Sequence, residues 1–244
     1  MTLARLALTF ALCTLPGLAA AEMTAAEREA FRKEVRDYLL ENPEVLMEAI
    51  GILEERQAAA EAAADVALVE QHRDAIFADS HSWVGGNPDG DITVVEFMDY
   101  RCGFCRRANP EVEELIRSDG NIRYVVKEFP ILGPESDLSA RFAIAVLQLH
   151  GPKAYEKVHH ALIALRAEAS QPVLDRLAGS MGLNPAAIAA RMKGPEVTEV
   201  IKANHALAET LAISGTPTFV IGGRMLRGYV PLDGMRQVVA EERG

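Results

Sequence analysis

The apolar run Ile92–Met98, ITVVEFM, is followed three residues later by Cys102-Gly103-Phe104-Cys105 and then by the helix-patterned stretch RRANPEVEELIRS. A short apolar run reads as a buried strand, and a strand that turns directly into a helix opens a βα unit. A C-x-x-C at that junction places the first sulfur at a helix N-terminus, where unpaired N–H groups and the helix dipole favour its thiolate. The second sulfur lies one turn on, within reach of a disulfide. This order of strand, cysteine pair and helix constrains the fold more tightly than composition does.

The rest of the chain extends the pattern. NIRYVVKEFPI reads as a second strand. From Pro134 to about Ala212 the spacing is helical, with proline following each break: Gly133-Pro134, Gly151-Pro152, Gln171-Pro172, Asn184-Pro185 and Gly194-Pro195. Proline is favoured in the first turn of a helix and disfavours helix in the residue before it. TFVIGG and RMLRGYV form a predicted hairpin around Gly222-Gly223, and LDGMRQVVAEE a closing helix. The predicted order is β-α-β, a helical block, then β-β-α.

Upstream, residues 24 to about 79 read as helix only. Thr24 and Glu27 make a T-x-x-E capping box, and Phe31, Val35 and Tyr38 recur at helical spacing. Asn42-Pro43 predicts the start of a second helix, whose stripe of Leu46, Ile50 and Leu53 passes into the alanine-rich QAAAEAAADVAL. Large apolar residues here are too few for a core, so the stripe needs a partner surface, either the catalytic domain or the same helix of another subunit. The turn cluster Gly85–Asp91 is the predicted boundary, with a helical segment over 22–84 and a catalytic domain over 85–244.

Residues 1–21 have the pattern of a secretion signal: Arg5, an apolar core from Leu6, and Ala19-Ala20-Ala21 as the cleavage site. Cys13 lies inside it, so the exported chain has two cysteines. Export places them where thiols are oxidised, giving a periplasmic or secreted, soluble protein. With 35 acidic against 25 basic residues, the chain is unsuited to general nucleic-acid binding. The six histidines are scattered and no second cysteine pair exists, which argues against structural zinc. A staple closing so small a loop restrains the unfolded chain little. The redox reading remains: Cys102 as nucleophile and Cys105 as the thiol that resolves the mixed disulfide. A pair of exported thiols is also a ligand set for soft Cu(I), and that reading stays open beside it.

EFMDYRCGFC together with PTFVIGG resembles the thioredoxin superfamily, specifically its DsbA-like branch, in which a helical domain (here about 134–212) interrupts the βαβ and ββα halves. Pro110, five residues after Cys105, matches the proline of the active-site helix. The resemblance implies a cis peptide at Thr216-Pro217 facing the cysteines, with Thr216 left open to pair with an extended substrate. It also implies that Glu96 is the buried acid that takes the proton of the inner thiol. Lys127, on the next strand, is the expected partner of Glu96, and Asp99 is read as a loop acid. Gly103 and Phe104 complete the expected substrate surface. Their dipeptide lacks the histidine of strongly oxidising members, which implies a milder couple, although Arg101, Arg106 and Arg107 add positive charge nearby.

YLLENPEVLMEAI, with the alanine-rich helix after it, resembles ScsC-type proteins, in which N-terminal helices oligomerise the catalytic domains. The implied function is disulfide isomerisation or reduction on exported proteins by a homo-oligomer, a trimer rather than a dimer. It needs no cofactor and no bound metal, and a membrane thiol reductase or oxidase is its redox partner. A monomeric dithiol oxidase on the same fold is the rival reading.

Overall fold

The structure, a computed structural model, describes residues 23–244. The expected leader, with Cys13 and the cleavage site, lies outside the described residues. The described residues divide into two compact units, the first ending at Arg56 and the second running from Gln57 to Gly244.

In the first unit, α1 (Ala25–Glu41) opens with the expected capping box. The Glu27 N–H donates to Thr24 Oγ1 at 3.3 Å and the Thr24 N–H to Glu27 Oε2 at 2.8 Å. Asn42 acts differently from the expectation. Its side chain donates to the Tyr38 carbonyl at 3.0 Å, so it closes α1, and α2 (Glu44–Gln71) begins beyond Pro43. No residue of α1 is buried, and Phe31, Tyr38, Leu46, Ile50 and Leu53 are all exposed.

The second unit contains the end of α2, α3 (Arg73–Phe77), β1 (Trp83–Gly86), β2 (Ile92–Met98), α4 (Gly103–Asp119) and β3 (Ile122–Glu128). An inserted helical block follows: α5 (Pro134–His150), α6 (Pro152–Ala164), α7 (Gln171–Ser180), α8 (Pro185–Met192) and α9 (Pro195–Thr210). The chain then returns as β4 (Thr218–Ile221), β5 (Arg224–Arg227) and α10 (Leu232–Arg243). The five strands are ordered β1-β3-β2-β4-β5, with β2 and β3 parallel and the other pairs antiparallel. This is the DsbA-like thioredoxin fold with its helical insertion.

Strand alternation divides the core in two. Val94, Met98, Tyr124 and Val126 face α4, α10 and the inserted helices. Val95, Phe97, Val125 and Val220 face the other way, onto Val69, Ile76, Ala208 and Leu211. Val69 and Ile76 come from the predicted N-terminal segment, so the compact unit begins well before the Gly85 boundary read from the sequence. That boundary falls within β1, where Gly85 and Gly86 pair with Tyr124 and Arg123 of β3. Gly85 sits in a strand for a steric reason: the Trp83 indole lies over it, leaving no room for a Cβ.

Candidate active site

Cys102 is the N-cap of α4 and Cys105 lies in its first turn. The parallel β2 delivers the chain to the helix start, as in other βα sites. The pair is reduced. Cys105 is fully buried and Cys102 is 7% exposed. Across the fold, the Thr216-Pro217 peptide is cis, and the Cys102 thiol donates to the Thr216 carbonyl at 3.1 Å. The Gly228 N–H donates to the Pro217 carbonyl at 2.9 Å, tying this loop to the end of β5.

The two thiols sit in opposite electrostatic environments. The hydrogen bond from the Cys105 thiol lowers the Cys102 pKa to about 5, helped by the Thr216 side chain and the N–H groups of Cys105 and Phe104, against the opposing effect of burial. The same bond, with burial and the nearby Glu96, pushes the Cys105 thiol far above its ordinary value. The outer sulfur therefore carries the charge and the inner one keeps its proton.

Glu96 is buried on the same sheet face, and burial raises its pKa to about 7 although the Tyr124 hydroxyl donates to Oε2. Lys127 is not its partner. The parallel register sets Glu96 beside Val126 and Phe97 beside Lys127, so Lys127 points to the opposite face. There its Nζ donates to Asp79 and, at 2.8 Å, to the Ala75 carbonyl. Alternation along β3 was the signal that places Tyr124, rather than Lys127, on the Glu96 side.

Asp99 lies in the loop between β2 and α4, as read, but it is not solvated. It is 2% exposed and accepts three backbone N–H groups. The arginines are each anchored. Arg101 pairs with Glu135 at 3.0 Å, Arg106 Nε donates to the Tyr100 carbonyl, and Arg107 lies 4.5 Å over the Tyr229 ring. Phe104 projects into solvent, 59% exposed, and nothing crowds Gly103. A further buried acid, Glu128, accepts from the hydroxyls of Tyr100 at 2.8 Å and Tyr155 at 2.5 Å, while burial lifts its pKa to about 8. It escaped the sequence reading because Tyr155 comes from the insertion, 27 residues away.

Family comparison places this geometry. The DSBA-like thioredoxin domain matches residues 93–240, which is more than half of the chain. The chain belongs to the DSBA-like thioredoxin domain family. The cysteine pair lies within the matched residues. The N-terminal domain of the copper resistance protein ScsC also matches, over residues 27–60. Among solved structures, a thioredoxin-like oxidoreductase from Silicibacter pomeroyi DSS-3 is 41% identical, with TM-score 0.66, covering 70% of this chain and 97% of that one. Proteus mirabilis ScsC in a transitional conformation is 27% identical, with TM-score 0.65, covering 92% and 98%. A curated relative, the Na(+)/H(+) antiporter NhaA 3 of Salinispora tropica, is 27% identical over 64% of this DsbA-like chain. The match spans only 24% of that relative's length. Among the described residues, no helix is long and apolar enough to cross a membrane.

Proposed function

We propose that this protein is an exported thiol–disulfide oxidoreductase that isomerises or reduces disulfides in other exported proteins, working as a homo-oligomer. The observation that carries the reading is the asymmetry of the pair: Cys102 at the N-cap of α4 with its pKa lowered to about 5, and a fully buried Cys105 whose thiol is pushed well above its ordinary value. The Cys102 thiolate attacks a substrate disulfide to form a mixed disulfide. Then either a substrate thiol rearranges it, which is isomerisation, or Cys105 displaces the substrate, which is reduction. Glu96, with a pKa of about 7, is the acceptor for the Cys105 proton. Thr216 and Pro217 align an extended substrate strand, and exposed Phe104 with Gly103 offers an apolar, uncrowded contact beside the sulfur.

The isomerase and oligomer parts rest on the ScsC N-terminal match and on the exposed stripe of the first unit. A periplasmic or secreted location follows from the leader pattern of residues 1–21 and from two thiols suited to an oxidising compartment. A membrane thiol reductase would keep Cys102 reduced between turnovers.

The test is trapping in cells. Cys105→Ser should accumulate mixed disulfides with exported proteins, and Cys102→Ser should not. Equal trapping by both variants on diagonal gels would overturn the assigned roles. Purified wild type should reduce insulin; failure there, with tight retention of Cu(I), would favour metal carriage instead.

A further inference from the structure

Arg107 lies four residues after Gly103 and three after Phe104, so the three share one face of α4. All three are exposed. Gly103 and Phe104 form the helix side of the proposed substrate site, and Thr216-Pro217 form the other side. Arg107 joins the two sides. Its guanidinium lies 4.5 Å from the centroid of the Tyr229 ring. Tyr229 follows Gly228, whose N–H donates to the Pro217 carbonyl at 2.9 Å.

The three arginines around the cysteines are not equivalent. Arg101 is paired with Glu135 at 3.0 Å. Arg106 is turned inward, its Nε donating to the Tyr100 carbonyl at 2.8 Å and its Nη2 buried. Arg107 rests on an aromatic face, which holds a cation without cancelling its charge. Among the described residues, no carboxylate forms an ion pair with it. Glu111, one turn farther from the cysteines, is engaged elsewhere: it accepts from the Tyr229 hydroxyl at 2.5 Å and from the Leu232 N–H at 2.6 Å. The ring contact also fixes a long side chain before any substrate arrives, so less freedom is lost on pairing.

We propose that Arg107 is a specificity-determining residue that selects protein substrates carrying an acidic side chain beside the reacting cysteine. This selection rests on the exchange reading above and names a substrate class for that site. In the step concerned, the Cys102 thiolate bonds one substrate sulfur, the substrate S–S bond breaks, and the second sulfur leaves as a thiolate. A substrate strand lying between Phe104 and Pro217 passes the fixed guanidinium. A carboxylate there gains an ion pair and an ammonium meets a like charge. A charge at such a rim acts on encounter and on the choice of partner, and salt weakens it.

The test uses the full-length reduced protein and short peptides whose single cysteine is joined through a disulfide to thionitrobenzoate. The peptides carry Glu, Gln or Lys beside the cysteine, on either flank, and stopped-flow absorbance follows thionitrobenzoate release. On one flank, the ratio of the Glu rate to the Gln rate should be about threefold higher in wild type than in Arg107→Gln, the scale of one exposed ion pair. Comparing ratios cancels the intrinsic reactivity of each peptide and any general change in Cys102. The Lys peptide should show the opposite shift. Arg107→Lys keeps the charge and should restore most of the ratio, and high salt should shrink it in wild type. The same ratio in wild type and Arg107→Gln on both flanks overturns the role, even if every peptide slows, because uniform slowing marks a structural part only. A ratio that Arg107→Lys fails to restore overturns it too. A wild-type protein that releases no thionitrobenzoate from any peptide removes the exchange reading itself, and the selection with it.

Discussion

The Cys102 sulfur owes its low pKa first to its neighbour's thiol and then to Thr216 and the helix-end N–H groups. The arginines that seemed close in sequence are turned to other partners. That ordering is testable by ultraviolet thiolate titration. Cys105→Ser keeps a donor at the inner position, so its Cys102 should titrate near 5. Cys105→Ala removes the donor and should titrate clearly higher. A Cys102 pKa near the free-thiol value of about 8.5 in Cys105→Ser would refute the nucleophile assignment. The sign for stability follows. The reduced protein's Cys102 pKa is lowered from 9.0 to about 5, so its stabilisation is complete above 9.0 and is lost as pH falls through 5. A stabilised thiolate also favours the reduced pair and makes its disulfide more oxidising. This opposes the milder couple expected from Gly103-Phe104, so the direction of exchange in the cell depends on the redox partner as much as on the dipeptide.

At the scale of elements, the strand–cysteine–helix unit and the proline-opened helices were legible because each depends on local chemistry: an apolar run, a helix-start residue, a break. Pro134, Pro152, Pro185 and Pro195 each occupy the first position of their helices as read. β1 was not legible. Its Gly85-Gly86 pair reads as a turn, and only the fold of the Trp83 ring over Gly85 explains it. The partner of Lys127 was illegible for a related reason, since Asp79 lies 48 residues upstream in a segment that reads as free helix. Lys127 is 0% exposed and Asp79 holds it against α3. Asp79→Ala leaves a buried ammonium without its counter-charge and should cost about 3–5 kcal/mol. Chemical denaturation of the reduced protein measures it. Replacing both residues, with Lys127→Met and Asp79→Leu, should recover most of that loss. A cost below about 1 kcal/mol, the usual value of a surface pair, would show that water reaches the site.

For the whole molecule, the division at Arg56/Gln57 changes where the protein can be cut. Removing residues through 80 takes Val69 and Ile76 from the core beneath the sheet and strands Lys127. That truncation should be unstable. Removing residues through 56 takes only a unit whose α1 buries nothing and whose Phe31, Tyr38, Leu46, Ile50 and Leu53 are exposed. An apolar stripe of this kind at helical spacing is unstable in water unless another surface covers it. Copies of the same stripe are the cover proposed here, with three chains in the assembly. Joining several Cys102 thiolates in one particle keeps a scrambled substrate near a second thiolate after the first lets go. Effective concentration, rather than any new chemistry, then separates isomerase from simple reductase. The chain lacking residues 1–56 should therefore be a folded monomer that reduces insulin as well as the full-length protein does, per thiol, yet loses reactivation of scrambled ribonuclease. Light scattering and the two assays on both proteins decide it. A full-length monomer would sink the assembly and favour a dithiol oxidase; undiminished ribonuclease reactivation by the truncated monomer would show that isomerisation needs only one catalytic domain.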